Sequence, residues 1–285
     1  MKKLIIILGV IGVSISAPLI RLSDAPSMVL VCYRVAMATI LLMPVVLIFR
    51  RGELSRLSFK DVLLCLSSGL FLGLHFTCYF EALRFTSIAS AVVLVDTEVF
   101  FVAFMLLFLF KEKLSKWAWI GIGVTFLGSV LIALTDAGSG KNVLLGDLIA
   151  LLGAFCMAVY TMIGRKCRQK ISTTTYTFLV YFSAAVTVLL ILVFSGQPIF
   201  GYSPVNWWTA LGMAVFCTIL GHSVFSWGLK YESPAFISTA KLLEPVFASI
   251  LGLILFREVP GVLVIIGGLI VISGIYIYTR FQASR

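Results

Sequence analysis

Ten apolar runs of about 20 residues each, separated only by short polar connections, constrain this chain of 285 residues more than any other feature. A helix rising about 1.5 Å per residue needs about 20 residues to cross a hydrocarbon layer roughly 30 Å thick. The runs fall at approximately 3–21, 27–49, 61–82, 87–110, 116–135, 145–164, 173–194, 206–228, 235–256 and 261–280. Hydrophobic residues make up 61% of the chain and charged residues 12%, which is more apolar surface than one soluble core can bury. The expected fold is therefore an all-α membrane protein of ten transmembrane helices. The longest polar stretches, Arg50–Lys60 and Ser195–Asn206, are too short for a soluble domain, so any activity belongs to the bundle.

The formal charge of +10 points to the same solvent. Its basic residues form short clusters between apolar runs, as membrane flanks do, and not a stripe suited to nucleic acid. With the N-terminus taken as cytoplasmic, sixteen Lys and Arg fall on that side, including Arg50, Arg51, Arg56, Arg165, Lys166 and Arg168. Only Arg21, Arg84, Lys141 and Arg257 fall on the other, while Arg34 and Lys241 lie within spans. The positive-inside rule then predicts both termini in the cytoplasm. Trp117, Trp119, Trp207, Trp208, Tyr276 and Tyr278 sit near span ends, where amphipathic rings favour the interface. The opening MKKLIIILGVIGVSISAP imitates a secretory signal, but Pro18 disfavours cleavage after Ala17 and the segment fills the place of a first span.

Sliding the sequence against itself gives its most specific signal. At a constant offset of 146 residues, LRFTSIAS from Leu83 overlies LKYESPAF from Leu229, and LLFLFKE ending at Glu112 overlies GLILFRE ending at Glu258. Glu98 matches Glu244, Phe101 matches Phe247, Gly121 matches Gly267 and Gly128 matches Gly274. Two units follow, residues 1–136 and 143–281, each with five spans. Five is odd, so the second unit crosses the membrane in the opposite sense to the first. Inverted repeats of this kind characterise secondary transporters, in which two halves enclose a site near the bilayer midplane.

Several features together are similar to the EamA-type branch of the drug/metabolite transporters. They are a glutamate halfway along the fourth helix of each unit, a basic-Glu pair at that helix's end (Lys111-Glu112 and Arg257-Glu258), and glycines at seven-residue spacing beyond. The second unit carries the family's Pro-containing fourth helix, LLEPVFASILGLILFRE, whereas the first has Val99 where that proline is expected. Arg34 resembles an arginine common at the start of the second helix. The resemblance implies export or uptake of small metabolites across a cytoplasmic membrane and fixes no substrate.

Ionisable groups inside spans are costly, by about 2.5–3.5 kcal/mol on insertion scales, and face the bundle or a wet cavity. Here they are Arg34, His75, Asp96, Glu98, His222, Lys241 and Glu244. Asp96 and Glu98 are two apart on a helix and point to nearly opposite sides, so they cannot line one narrow cavity equally well. The repeat selects Glu98. Lys241 and Glu244 are three apart and share a face. Pro245 removes the helical partner of the Lys241 carbonyl, so a kink is expected beside that pair. The two charges form either a binding locus or a mutual neutralisation that locks the fold. Arg34 and Asp96 enter their spans by roughly 10 and 13 Å, close enough for a structural ion pair, which is favoured over a contact of Arg34 with substrate. His75 and His222 lie beside aromatics, among them Tyr79 and Trp227, and either stack a planar ligand or make one interhelical hydrogen bond. The expected cavity residues are thus Glu98, Lys241, Glu244, Tyr79, His75, His222 and Trp227.

Other chemistries are poorly supported. The six cysteines lie singly without metal-type spacing, and GSGKN at 138–142 lacks the glycine and the Ser/Thr of a phosphate-binding loop. No HExxH or GxSxG is present, so neither an intramembrane enzyme nor a metal or cofactor is expected. Glu98 and Glu244 are the groups available for proton coupling. The reading is a secondary transporter of small organic metabolites such as amino acids, with lipophilic-cation efflux or uptake of a host metabolite as alternatives, and a non-transporting scaffold as the reading from another class.

Overall fold

The computed structural model describes residues 1–86, 88–134, 142–257 and 259–281. Among them ten helices are long and apolar enough to span a membrane: α1 (Lys2–Ile20), α2 (Ser27–Phe49), α3 (Phe59–Ala82), α4 (Ser90–Leu109), α5 (Lys116–Ala133), α6 (Val143–Cys167), α7 (Thr173–Phe194), α8 (Val205–Gly228), α9 (Pro234–Phe256) and α10 (Val262–Phe281). All ten predicted spans are present, with ends shifted by three residues or fewer. The GSG and Lys141 of the GSGKN segment, Glu258 and Arg285 lie outside the described residues.

Local chemistry fixes several helix starts. Side-chain oxygens of Ser58, Ser115, Asn142, Ser172 and Ser233 accept main-chain N–H groups at the starts of α3, α5, α6, α7 and α9, satisfying donors that the first turn leaves unpaired. Outward-facing side chains are apolar along whole spans, with Ile48, Phe108, Leu127, Phe194, Ile254 and Leu269 exposed, the surface that lipid requires.

The five-helix repeat governs the packing. α3 packs on α6 as α8 packs on α1, and α2 meets its own counterpart α7. The most extensive contact joins α5 and α10, the last helix of each unit. It is built on the four spaced glycines. A Cβ on Gly121 would sit 2.9 Å from the Gly274 carbonyl oxygen, and one on Gly128 would sit 2.7 Å from that of Gly267. The repeat exchanges 121 with 267 and 128 with 274, so each contact is the image of the other. The fourth helices also end alike, because Lys111 at φ 55° and Arg257 at φ 58° both take the left-handed conformation that closes a helix.

Four spans are not single rods. α1 is interrupted at Ile15, α4 at Thr97 and α9 at Leu242 and Leu243. Between Met213 and His222, α8 opens into wider turns, where Thr218 Oγ1 donates to the carbonyl of Met213 five residues back at 3.2 Å. The interruption in α9 lies just ahead of Pro245, and α4 breaks at the matching position without a proline. There Thr97 N–H bonds to the Leu94 carbonyl at 3.2 Å, an i→i−3 bond in place of the helical one, and the Thr97 hydroxyl donates to the same oxygen. The corresponding bonds in α9 run from Leu242 to Thr239 and from Leu243 to Ala240.

Candidate substrate cavity

Both breaks fall just before the paired glutamates. Glu98 and Glu244 therefore open the second half-helix of α4 and of α9, where the positive end of the helix dipole favours a carboxylate. These half-helix starts face a cavity of about 800 Å³. One end of it reaches the α1–α2 junction at Arg21 and Ser27 and the α9–α10 junction at Val259 and Pro260, on the face away from the termini. Toward the terminal face lie buried Val102 and Ile237 and a second pocket of about 270 Å³ bordered by Glu112, Arg165, Lys230 and Glu232. There Arg165 grips Glu112 through two bonds, at 2.6 and 3.0 Å.

Glu98 and Lys241 are brought together across the two units. Lys241 Nζ lies 3.0 Å from Oε1 and 3.3 Å from Oε2 of Glu98, while Ser238 Oγ donates to Oε1 at 2.8 Å and Thr161 Oγ1 at 3.4 Å. With side-chain exposures of 12% and 8%, this is a buried pair whose Oε1 is also held by two hydroxyls. The expected Lys241–Glu244 pairing is replaced by it. The reason is the break: residues 241 and 244 are no longer on one continuous helix, and the i, i+3 relation lapses. Glu244 lines the cavity within electrostatic reach of Arg34 and Lys241, and among the described residues nothing donates a hydrogen bond to its carboxylate. Its main-chain carbonyl accepts from Ser14 Oγ at 3.2 Å, tying α9 to the break in α1.

The interruption at Thr97 also bears on the preference for Glu98 over Asp96. A two-residue step on an unbroken helix separates side chains by most of half a turn, but here the phase is reset between them and both Asp96 and Glu98 line the cavity. Asp96 accepts from Ser129 Oγ of α5 at 2.6 Å. The expected Arg34–Asp96 ion pair is not formed. Arg34 instead donates through Nε to Thr218 Oγ1 at 2.8 Å and lies over the Phe76 ring, 4.9 Å from its centroid. The widened turns of α8 provide that acceptor.

Of the aromatic and imidazole groups, Tyr79, His75 and His222 line the cavity. His75 Nδ1 sits 3.0 Å from the Gly153 carbonyl oxygen of α6, the interhelical bond expected of a packed histidine. His222 Nδ1 is buried without a hydrogen-bond partner among the described residues. Trp227 does not line this cavity; it sits 4.8 Å from the Tyr231 ring, one helical turn nearer the terminal face. Its position follows from its place at the end of α8. Pro245 lines the wall beside Glu244. Sequence reasoning passed over Ser129, Thr161, Thr218 and Ser238, whose hydroxyls hold the charged groups. Only Ser238 was within reach of it, being three residues before Lys241 and on its face.

A profile of the EamA-like transporter family matches residues 2–134 and 144–280. The chain belongs to the EamA-like transporter family. An uncharacterized transporter of Clostridium kluyveri is 28% identical over 198 residues, which span 68% of this chain and 64% of that protein. The pseudopaline exporter CntI of Pseudomonas aeruginosa is 24% identical over 247 residues, covering 87% of this chain and 84% of its own length. A crystal structure 16% identical to this chain superimposes with a TM-score of 0.84 over 99% of this chain and 98% of that one, a likeness of fold. In this EamA-like chain, the two matched half-helix starts and the cavity they face are products of the same repeat.

Proposed function

We propose that this EamA-like protein is a secondary transporter that exports a small zwitterionic metabolite, such as an amino acid or a compound derived from one, across the cytoplasmic membrane by alternating access. One observation carries the reading. A single cavity reaches the two broken helices from one face while buried side chains and the Glu112–Arg165 pair close the other. Two inverted units that pack as images of one another supply a second arrangement of similar energy, with the closed and open faces exchanged. With the termini cytoplasmic, as the sixteen-to-four distribution of basic residues favours, the form described is open to the outside. The exporter named among the relatives supports the direction.

Cavity charge supports a zwitterion over a simple cation. Lys241 is neutralised by Glu98 and Arg21 lies at the cavity mouth, so the cation beside the broken helices that can meet a substrate is Arg34, against the carboxylates of Asp96 and Glu244. The two carboxylates and the rings of Phe76, Tyr79 and Phe225 favour lipophilic-cation efflux as a second reading. Glu244 is the better placed of the two glutamates for proton coupling, because Glu98 is committed to Lys241.

Flux measured in proteoliposomes over amino acids, nucleotides and cationic dyes, with and without a proton gradient, tests these statements together. Amino acid flux is expected. Dye flux alone transfers the conclusion to the second reading, and absence of flux for every class removes transport. Flux of Glu244→Gln that responds to the gradient as the parent does removes this residue from coupling.

A further inference from the structure

Most ionisable groups around the cavity have protein partners. Glu98 and Lys241 hold each other, Asp96 has Ser129, and His75 has the Gly153 carbonyl. Arg34 and His222 are different. Arg34 is 5% exposed, yet only its Nε makes a hydrogen bond, and among the described residues no carboxylate is in ion-pair contact with it and nothing accepts from either Nη. His222 is 8% exposed, and its Nδ1 lacks a partner among the same residues. A buried ring nitrogen is ordinarily hydrogen-bonded, so His222 calls for an explanation, and the unpartnered Nη groups of Arg34 share its cavity.

Their placement offers one. Both groups line the same cavity and both contact Phe76: the Arg34 guanidinium lies 4.9 Å from its centroid and the His222 ring 5.7 Å. Thr218 Oγ1 spends its proton on the Met213 carbonyl, which leaves its lone pair to fix Arg34 Nε. A guanidinium anchored at Nε still offers the planar pair of Nη donors that matches the two oxygens of a carboxylate. The imidazole adds an N–H.

We propose that Arg34 and His222 form a carboxylate-binding subsite of the transported molecule, the guanidinium Nη groups and one imidazole N–H donating to its two oxygens. The subsite rests on the transport reading and narrows it. Glu244, without a hydrogen-bond donor of its own, accepts the ammonium of the same molecule, and the rings of Phe76 and Phe225 receive its apolar body. A dianionic phosphate fits poorly, because the one guanidinium of this wall faces it beside the carboxylates of Asp96 and Glu244. The charge roles also change hands: Arg34 replaces Lys241 as the cation that selects the substrate.

The test uses the full chain in lipid nanodiscs and three probes of one shape: L-leucine, isoamylamine, which lacks the carboxylate, and isocaproate, which lacks the ammonium. Leucine is expected to bind at least about tenfold more tightly than isoamylamine, because the amine leaves buried donors unpaired. Arg34→Gln is expected to abolish that preference by weakening leucine at least about tenfold, and His222→Leu to weaken leucine severalfold. Equal or tighter binding of isoamylamine by the unaltered protein, or no binding of leucine, overturns the subsite, and neither comparison needs a variant that folds. A leucine preference kept intact in Arg34→Gln overturns it as well. Counterflow in proteoliposomes separates the two conclusions. Isoamylamine flux without leucine flux leaves a transporter and removes the subsite, whereas carboxylate-dependent binding without any flux leaves the subsite and removes transport.

Discussion

Lys241 of α9 reaches across to Glu98 of α4, Nζ to Oε1 at 3.0 Å, and the two residues come from opposite units of the repeat. The repeat partner of Lys241 is Val95, so the bridge has no image on the other side of the pseudo-symmetry axis. A buried pair of this kind is weak support for stability as a whole but is expensive to break on one side. Lys241→Ala, which strands the Glu98 carboxylate, is expected to cost about 3–5 kcal/mol, and Glu98→Gln combined with Lys241→Met to recover most of it. Melting of the single and double variants in detergent measures both. A double variant as unstable as Lys241→Ala would show that the loss comes from something other than the stranded charge.

The glycine seam makes a sharper demand. At Gly128 a Cβ would lie 2.7 Å from both the Gly267 oxygen and the Val271 nitrogen, backbone atoms that cannot rotate aside. Gly128→Val is expected to force α5 and α10 apart, with loss of folded protein on size exclusion. Gly123→Ala, where nothing lies within 4 Å, is expected to stay within about 0.5 kcal/mol of the parent. Equal yields of the two variants would remove the seam as a folding requirement.

How much of this was legible beforehand follows from the range of each interaction. The ten spans, the paired glutamates and the four glycines could be read because length, hydropathy and a fixed offset are properties of the chain alone. The partners of the charges could not. Pairing Lys241 with Glu244 assumed an unbroken helix, and the expectation failed where the backbone departed from 3.6 residues per turn. Pro245 marked the break in α9, but the break in α4 depends on Thr97, whose residue type is found within intact helices as well. Arg34 was matched with Asp96 by depth. Depth does not report which wall a side chain faces, and Thr218 became its partner through widened turns of α8 that no local signal announces.

Outside the spans, Glu53 ties the short helix Arg51–Leu54 to the start of α7, accepting from the Ser172 amide at 2.6 Å and from Thr175 Oγ1 at 2.8 Å as well as from the Ser172 hydroxyl. Burial pushes this carboxyl up, but the bonds from Ser172 and Thr175 outweigh it and hold it below the ordinary range. A depressed folded-state value means a contribution that is complete above the ordinary Glu value of about 4.3 and is lost as pH falls through the folded one. Glu53→Gln is therefore expected to be less stable near neutrality, by about 1 kcal/mol given its partial exposure. The Tm difference should shrink as pH falls from about 5 toward 3. A difference that does not change with pH would assign the effect to shape and not to charge.

At the terminal face, opposite the cavity mouth, Arg165 and Glu112 join the end of α6 to the end of α4 in a bidentate contact with side-chain exposures of 23% and 34%. A partly exposed pair of good geometry is worth about 1 kcal/mol, which corresponds to roughly a fivefold change in the ratio of two conformations. Glu112→Gln is expected to move the population toward a form open at the terminal face. Val95 lines the cavity at the depth of Lys241, so Val95→Cys in a cysteine-free background reports access to it. With a membrane-impermeant thiol reagent, labelling from the terminal face should rise about fivefold and labelling from the far face should fall. The exchange Glu112→Arg with Arg165→Glu should restore the parent pattern, because it rebuilds the contact with its charges reversed. Labelling that is unchanged from both faces in Glu112→Gln would mean that this pair does not hold the closed side, and that buried groups such as Val102 and Ile237 keep it shut without help.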